Sequence, residues 1–330
     1  MNCWLACCRW SRYWLTEWPT DPHQAPMQIF HSFAELKKVP CPVHWAMGFF
    51  DGVHRGHKRV IDSAASPGAM RGVLTFQPHP LAVLNPQAAP ALLTPDPDMK
   101  AELLSSMGVE LLLVLPFNTQ LAALSPQEFL NTLLGSCSTV GISVGNNWHF
   151  GKGGSGNADF LRSQADKLGF TARINDMLQI DGDTVCSTRI RHLLAEGNIE
   201  LANAMLGRNF TIRGTVEHGQ KLARTLGFPT ANITLPPSAA LPRPGVYKVQ
   251  ALIDGRLQCG IANVGLRPTI CEDFKPTRLE THFINWSGNL YGKQLDVQLL
   301  HFIRPEQKFN GIDALKSQIE RDIATVMPHL

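Results

Sequence analysis

Two histidines separated by two residues close a glycine-rich run, Gly48-Phe49-Phe50-Asp51-Gly52-Val53-His54-Arg55-Gly56-His57. Glycines between a strand and a helix let the backbone approach phosphate, and the helix start offers free N–H groups at its positive end. Both imidazoles can donate hydrogen bonds to phosphate oxygens and stabilise the charge that develops as pyrophosphate leaves. Such a pair suits adenylyl transfer better than hydride chemistry. His-x-x-His also occurs in zinc sites, but no third ligand follows at a zinc spacing and no Glu lies between the two.

Cys186-Ser187-Thr188-Arg189-Ile190-Arg191 reads as a second helix start, the last of the first domain, with capping hydroxyls and guanidiniums suited to a triphosphate. Alone it is a common structural cap. Paired with the histidine run, it places Ser187, Thr188 and Arg191 opposite the same triphosphate. Gly151 to Gly156 looks like a phosphate loop but lacks the Gly-Lys-Ser/Thr ending of a Walker motif, so a plain flexible loop is the competing reading.

A second constellation runs from His218 to Asn232: His218-Gly219-Gln220-Lys221-Leu222-Ala223-Arg224-Thr225-Leu226-Gly227-Phe228-Pro229-Thr230-Ala231-Asn232. In an extended segment Thr230 and Asn232 point to one side, so both oxygens can reach a single hard cation such as Mg²⁺ bridging ATP phosphates. A turn bonding its own backbone is the simpler alternative. Downstream, Leu279-Glu280-Thr281-His282 reads as a strand with Glu280 and His282 on one face.

The elements that must hold these residues are legible in the periodicities. From His44 to about Gly207, strands expected at Val43–Met47, Gly72–Phe76, Leu111–Leu115, Val140–Val144 and Ala172–Leu178 alternate with helices, the pattern of a parallel α/β sheet. Ser125-Pro126-Gln127-Glu128 marks one helix start with a cap, a first-turn proline and a capping-box glutamate. After Gly207 come closely spaced strands at Thr211–Val216, Gly245–Leu252, Gln258–Val264, Leu279–Ile284 and Leu295–Phe302, which predict an antiparallel barrel. Ile312, Leu315, Ile319 and Ile323 then recur at helical spacing within a closing helix over Gly311–Met327.

A chain of 330 residues accommodates about two domains at ~150 residues each. The expected division is an extension over 1–26, a first domain over 27–207 and a second over 208–330. A formal charge of +3 without a basic run gives no nucleic-acid footprint. With 44 % hydrophobic residues and no apolar stretch near ~18 residues, a membrane span is not expected. The eight cysteines show no C-x-x-C pair, which reads as reduced thiols in a cytoplasmic protein. Residues 1–26 hold four of the seven tryptophans and three cysteines, and Arg9, Arg12 and Glu17 break up any signal-peptide centre. Two readings of that segment stand: Met27 as the natural start, or an ordered amphipathic appendage.

These motifs resemble, in order, those of the bacterial bifunctional riboflavin kinase/FAD synthetases. The resemblance rests on Gly-x-Phe-Asp-Gly-Val-His-x-Gly-His, Thr75-Phe76-Gln77-Pro78-His79-Pro80, Val144-Gly145, Phe150-Gly151-Lys152-Gly153, Ser187-Thr188-Arg189-Ile190-Arg191, Leu-Gly-Phe-Pro-Thr-Ala-Asn and Leu279-Glu280-Thr281-His282, and spans about residues 28 to 326. It implies a Rossmann-like nucleotidyltransferase domain with a parallel sheet, followed by an antiparallel β-barrel flavokinase domain with a C-terminal helix. It implies ATP held by Gly48, Phe49, Phe50, Asp51, Gly52, His54, Gly56, His57, Ser187, Thr188 and Arg191 in the first site. In the second, ATP would meet Gly219, Lys221, Thr225, Gly227, Phe228, Pro229, Thr230 and Asn232, with Mg²⁺ on Thr230 and Asn232. Glu280 would be the base for the riboflavin 5′-hydroxyl. Asn147, Asn263, Arg267, Arg304 and Phe309 would lie on the flavin side, Arg267 toward phosphate and Arg304 and Phe309 beside the isoalloxazine.

The chain departs from the family pattern at three places. Gln77 stands where a glutamate usually precedes Pro-His-Pro, Asn146-Asn147-Trp148-His149 where an acid usually follows the glycine, and His218-Gly219-Gln220-Lys221-Leu222-Ala223 where the loop usually carries an acid and a further arginine. The expected substrates are riboflavin, FMN and ATP, with FMN and FAD as product ligands, no nucleic-acid or membrane partner, and room for a transient homo-oligomer. Two rival readings are a kinase with an impaired adenylyltransferase domain and a non-catalytic flavin- or nucleotide-binding regulator.

Overall fold

The computed structural model describes residues 26–218, 227–266 and 277–327. Its first sheet holds six parallel strands, β1 (Gln28–Phe30), β2 (Val43–Met47), β3 (Met70–Gln77), β4 (Leu111–Pro116), β5 (Thr139–Gly145) and β6 (Thr171–Asn175), in the order β1-β4-β3-β2-β5-β6. Every residue of β2 is buried, as expected of a central strand covered on both faces. That burial includes His44, whose ring nitrogens are hydrogen-bonded to Ser66 Oγ at 2.8 Å and Ser143 Oγ at 2.9 Å. Gly141 on β5 makes room for this ring, since a Cβ there would come within 2.3 Å of it.

Helices α1 (Arg55–Ser63), α2 (Pro80–Leu84), α3 (Pro97–Ser106), α4 (Thr119–Ala123), α5 (Pro126–Leu134) and α6 (Ala158–Leu168) connect and flank these strands. The expected capping box at Ser125 is present: its hydroxyl accepts from Glu128 N, and the Glu128 carboxylate accepts from Ser125 N. From β2 the strand order runs one way through β3 and β4 and the other way through β5 and β6. The carboxyl ends of β2 and β5 therefore form the switch point of the sheet, where such folds open a crevice.

After β6 a small hairpin, β7 (Gln179–Ile180) and β8 (Asp183–Thr184), leads to α7 (Ser187–Glu196) and α8 (Ile199–Leu206). The helix opened at Cys186 is therefore followed by another, and α8 is the one that precedes Gly207. The second sheet is antiparallel, with β9 (Phe210–Thr215), β10 (Ala231–Thr234), β11 (Gly245–Ile253), β12 (Arg256–Leu266), β13 (Thr277–Phe283) and β14 (Gln294–Pro305) in the order β10-β13-β12-β11-β14-β9. Glu217 N donates to Asn232 O at 2.8 Å and nearly closes it into a barrel.

Helix α9 (Ile312–Val326) packs Ile319, Ile323 and Val326 against Val246, Ile261 and Ile284 on the barrel's outer face. One hydrophobic core runs from α7 and α8, through Ile190, Leu193, Ile199 and Leu206, into the barrel at Phe210, Tyr247 and Leu299. The two sheets are also tied by main chain, because Leu92 N donates to Ser238 O at 2.6 Å and Ala240 N to Leu92 O at 2.8 Å. Arg213 on β9 adds paired bonds to Glu102 on α3, at 3.0 and 2.7 Å.

Candidate active sites

The glycine-rich turn leaves β2 at the switch point and enters α1 with His54 as its N-cap. His57 N donates to His54 Nδ1 at 3.2 Å and His54 N donates to His57 Nδ1 at 3.4 Å, with ring centroids 3.5 Å apart and nearly parallel, stacked rings. This is a capping box built from imidazoles, and it fixes the tautomer. A nitrogen that accepts from a backbone N–H carries no proton, so in each neutral ring the proton sits on Nε2. Burial first, then Arg208 and Arg191, lowers the His54 pKa to about 3. Burial and then His54 itself hold His57 well below its ordinary value. The pair is neutral at pH 7, with both Nε2–H groups available as donors.

Around this turn the sequence motifs converge. Ser187 Oγ donates to Asp51 O at 2.9 Å, which joins the start of α7 to the turn. The cap of α7 is the Cys186 thiol, which accepts from Arg189 N at 3.4 Å; of the two hydroxyls expected to cap, Ser187 serves the neighbouring turn and Thr188 accepts from Arg191 at 3.4 Å. Arg191 reaches the buried Asp51 carboxylate at 3.2 Å. Asp51 also accepts from Leu93 N and Thr94 N. Its oxygens are thus engaged with protein, and it orients Arg191 and the 91–94 segment. Phe50 is buried at a positive φ of 57°, and its ring fills the space under Gly48. Gly52, at φ 79°, admits Leu93, whose Cδ1 would lie 2.6 Å from any Cβ there.

Three residues that sequence reasoning passed over also reach the turn. Arg208, just beyond α8, donates to Gly52 O at 2.7 Å and Val53 O at 3.0 Å. Lys100 on α3 bonds Phe49 O and, at 3.1 Å, Thr75 Oγ1. His79, quoted only as part of a motif, packs edge-on to Phe49 at 4.3 Å and caps α2 through Nδ1. Position alone did not mark them, since each lies on a different element from the histidine pair.

Two of the segments that depart from the family pattern lie at the carboxyl ends of β3 and β5, the strands on either side of β2. Gln77 is exposed at the end of β3. Asn147 is exposed after β5, Asn146 bonds Asp176 at 3.3 Å, and Trp148 stacks on Phe150 at 4.4 Å. Gly151 begins a short turn pressed against Pro126, and the Gly151–Gly156 stretch folds back through a Phe150–Gly156 bridge.

In the barrel, Ala231–Thr234 forms a strand, and register places Asn232 directly opposite Glu280 of β13, with Asn263 of β12 on the other side of Glu280. Asn232 is buried, and its Nδ2 donates to Thr230 O and Oγ1 at 3.3 Å. Thr230, Asn232 and Glu280 are oxygen donors gathered without a thiol, a donor set that fits a hard cation rather than zinc. Among the described residues no group of three His, Cys, Asp or Glu side chains has a metal-binding arrangement. His282 shares the outward face with Glu280 and donates from Nδ1 to Pro229 O at 3.0 Å, while Phe228 meets its ring edge-on. Gly227, Phe228, Pro229, His282 and Trp286 line a cavity of about 550 Å³ beside Thr230.

Asn263 bonds Glu306 at 3.0 Å. Arg304 is paired with the buried Asp322 of α9 at 2.7 Å and lies 5.8 Å over Phe309, so it ties β14 to the closing helix. Gly219, Lys221, Thr225 and Arg267 lie outside the described residues, as does the segment before Pro26.

A neutral imidazole pair ringed by cations at an α/β switch point, joined to a barrel with gathered oxygen donors, defines a two-site transferase acting on nucleotide phosphates. The comparisons name the family. Residues 36–189 match the FAD synthetase model and residues 206–330 the riboflavin kinase model. The bifunctional riboflavin kinase/FMN adenylyltransferase of Listeria monocytogenes is 38 % identical over 84 % of this chain and 89 % of its own. The Pseudomonas fluorescens enzyme of the same name is 39 % identical over 90 % and 96 %, and that of Escherichia coli K12 36 % over 89 % and 94 %. A crystal structure described as a macrolide-efflux protein from Streptococcus pneumoniae matches with a TM-score of 0.82 at 28 % identity, over 91 % of this chain and 98 % of that one. Among the described residues no helix is long and apolar enough to cross a membrane. The chain belongs to the bifunctional riboflavin kinase/FMN adenylyltransferase family.

Proposed function

We propose that the chain makes FMN from riboflavin and ATP in the barrel and FAD from FMN and ATP at the sheet. The reading is carried by the reciprocal histidine pair, whose two Nε2–H groups leave the turn free to hold a polyphosphate.

In the barrel, Glu280 takes the proton of the riboflavin 5′-hydroxyl while its oxygen attacks the γ-phosphorus of ATP, releasing ADP. Thr230 and Asn232 would hold the divalent ion, taken here as Mg²⁺, which would supply neutralisation of the phosphate charge. The cavity beside Phe228 and His282 takes the nucleotide, and Asn263, Arg267, Arg304 and Phe309 lie on the flavin side.

At the sheet, a phosphate oxygen of FMN attacks the α-phosphorus and the bond to pyrophosphate breaks. His54, His57, Ser187, Thr188 and Arg191 stabilise the departing charge, and Asp51 keeps Arg191 in place. Asn147, at the end of β5, faces the flavin end of FMN. The expected division at Gly207 assigns each reaction to one domain, and the enzyme acts in the cytoplasm on small molecules only.

The test mixes purified protein with riboflavin, ATP and Mg²⁺ and separates the flavins over time. FMN should rise first and FAD follow. His57→Ala should stop at FMN, and Glu280→Ala should still adenylylate supplied FMN. Loss of both steps in either folded variant would overturn the division of labour. FMN without FAD from the unaltered protein would mean that the Gln77 and Asn146–His149 segments have silenced the transferase.

A further inference from the structure

We propose that Lys100 is a catalytic cation of adenylyl transfer, its ammonium pairing with the oxygens of the ATP triphosphate where pyrophosphate departs. The proposal rests on the adenylyl-transfer reading of the first site.

The position is a poor one for a lysine on grounds of stability. Lys100 lies in the first turn of α3, where the helix dipole disfavours a positive charge. No acid is in contact with it: Asp96 caps the helix by accepting from Asp98 N and Met99 N, and Asp51, which favours the ammonium only from a distance, is bonded to Arg191, Leu93 N and Thr94 N. Its two hydrogen-bond partners, Phe49 O and Thr75 Oγ1, are neutral, and Thr75 Oγ1 already donates to Phe49 O at 2.9 Å. Neither partner depends on the lysine. Burial lowers its pKa to about 8, a fall that the Asp51 charge offsets only in part, as expected for an ammonium with no carboxylate in contact.

The charge count around the turn points the same way. Lys100, Arg191 and Arg208 all reach a turn that carries one carboxylate, Asp51, and that carboxylate is bonded to Arg191, Leu93 N and Thr94 N. Among the described residues Lys100 and Arg208 form no ion pair; Arg208 is bonded only to the Gly52 and Val53 carbonyls. A desolvated cation left unpaired destabilises the folded protein, so this surplus fits a polyanionic ligand.

Geometry directs the ammonium. Two residues along α3, Glu102 reaches the other way to Arg213 of the barrel, which fixes the helix between the two sheets. Lys100 Nζ lies 4.3 Å from the Phe49 ring centroid, on the turn that precedes the histidine pair. With two of its three N–H groups used, one remains for a phosphate oxygen. As the bond from the α-phosphorus to the bridging oxygen breaks, negative charge grows on pyrophosphate and that contact strengthens.

The experiment compares full-length parent, Lys100→Met and Lys100→Arg. FAD formation from FMN should fall about 10²–10³-fold in kcat for K100M, with KM for FMN within threefold, and recover in part for K100R. Riboflavin phosphorylation should be unchanged in both. Without nucleotide, K100M should melt at or above the parent, because a charge without a protein counterion is removed. The melting-temperature rise given by magnesium pyrophosphate should shrink in K100M. FAD formation within threefold of the parent overturns the proposal. So does a K100M protein that melts lower or fails to fold, which would make Lys100 a structural strut. If the parent makes no FAD, the adenylyl-transfer reading fails, and an undiminished pyrophosphate shift in K100M separately decides against Lys100.

Discussion

His54 and His57 cap each other: the backbone N–H of each donates to Nδ1 of the other, at 3.4 and 3.2 Å, and the rings stack at 3.5 Å. One arrangement serves two ends. It satisfies free amides at the start of α1, and it commits both neutral rings to carrying their proton on Nε2. Capping and phosphate binding can therefore be separated by substitution.

Asn caps helices well and Gln serves at the third position of a capping box. His54→Asn and His57→Gln should keep the melting temperature near that of the parent while FAD formation drops about 10²–10³-fold. His54→Ala should lose the cap as well, at a cost of about 1 kcal/mol in urea denaturation. Equal FAD formation by the cap-preserving variants would show that the imidazoles act only as caps.

In the barrel, Glu280 sits opposite Asn232 in the register, so base and ion ligands can be distinguished by what rescues them. Glu280→Gln should lower riboflavin phosphorylation about 10²–10⁴-fold at every Mg²⁺ concentration. Thr230→Ala and Asn232→Ala should instead raise the Mg²⁺ needed for half-maximal rate. FMN adenylylation should be unaffected in all three. A Glu280→Gln defect reversed by added Mg²⁺ would assign Glu280 to the ion instead.

Stability should depend on pH through the buried imidazoles. Burial lowers His44 to about 4 and His54 to about 3, from an ordinary 6.5, so the unfolded chain binds protons that the folded chain refuses. Stability from these groups is complete above pH 6.5 and is lost as pH falls, down to about 4 for His44 and about 3 for His54. Thermal melts should be flat in this contribution above pH 7 and fall steadily below 6.5. His44→Asn should have a shallower slope, and an unchanged slope would move the effect to other groups.

Much of the architecture was legible in one dimension. The central strand Leu111–Leu115 reads as a continuous apolar run, and Val43–Met47 as one interrupted only by His44, because both faces are buried, and the Ser125 box announced its helix by residue type. Two short strands were not legible: Gln28–Phe30 is an edge of three residues, and Ala231–Thr234 follows a proline-threonine stretch that reads equally as a turn. The strand expected over Ala172–Leu178 ended early at Asn175, and a separate hairpin begins just beyond it at Gln179. Such pieces are too short for periodicity to register.

The sites divide along the same line. Residue types and spacing marked the histidine pair, the Ser187–Arg191 helix start gained its meaning beside that pair, and the Thr230–Asn232 pair did so through the family resemblance; each group lies within a few positions of chain. Only the tertiary structure decided that Asp51 faces Arg191 and the 91–94 segment, that Lys100 and Arg208 crowd the same turn, and that Asn232 meets Glu280. Those contacts join elements far apart in sequence through the sheet order and the shared core. The sequence states each element's local preference, but which charges come together depends on how the packed elements are placed in space.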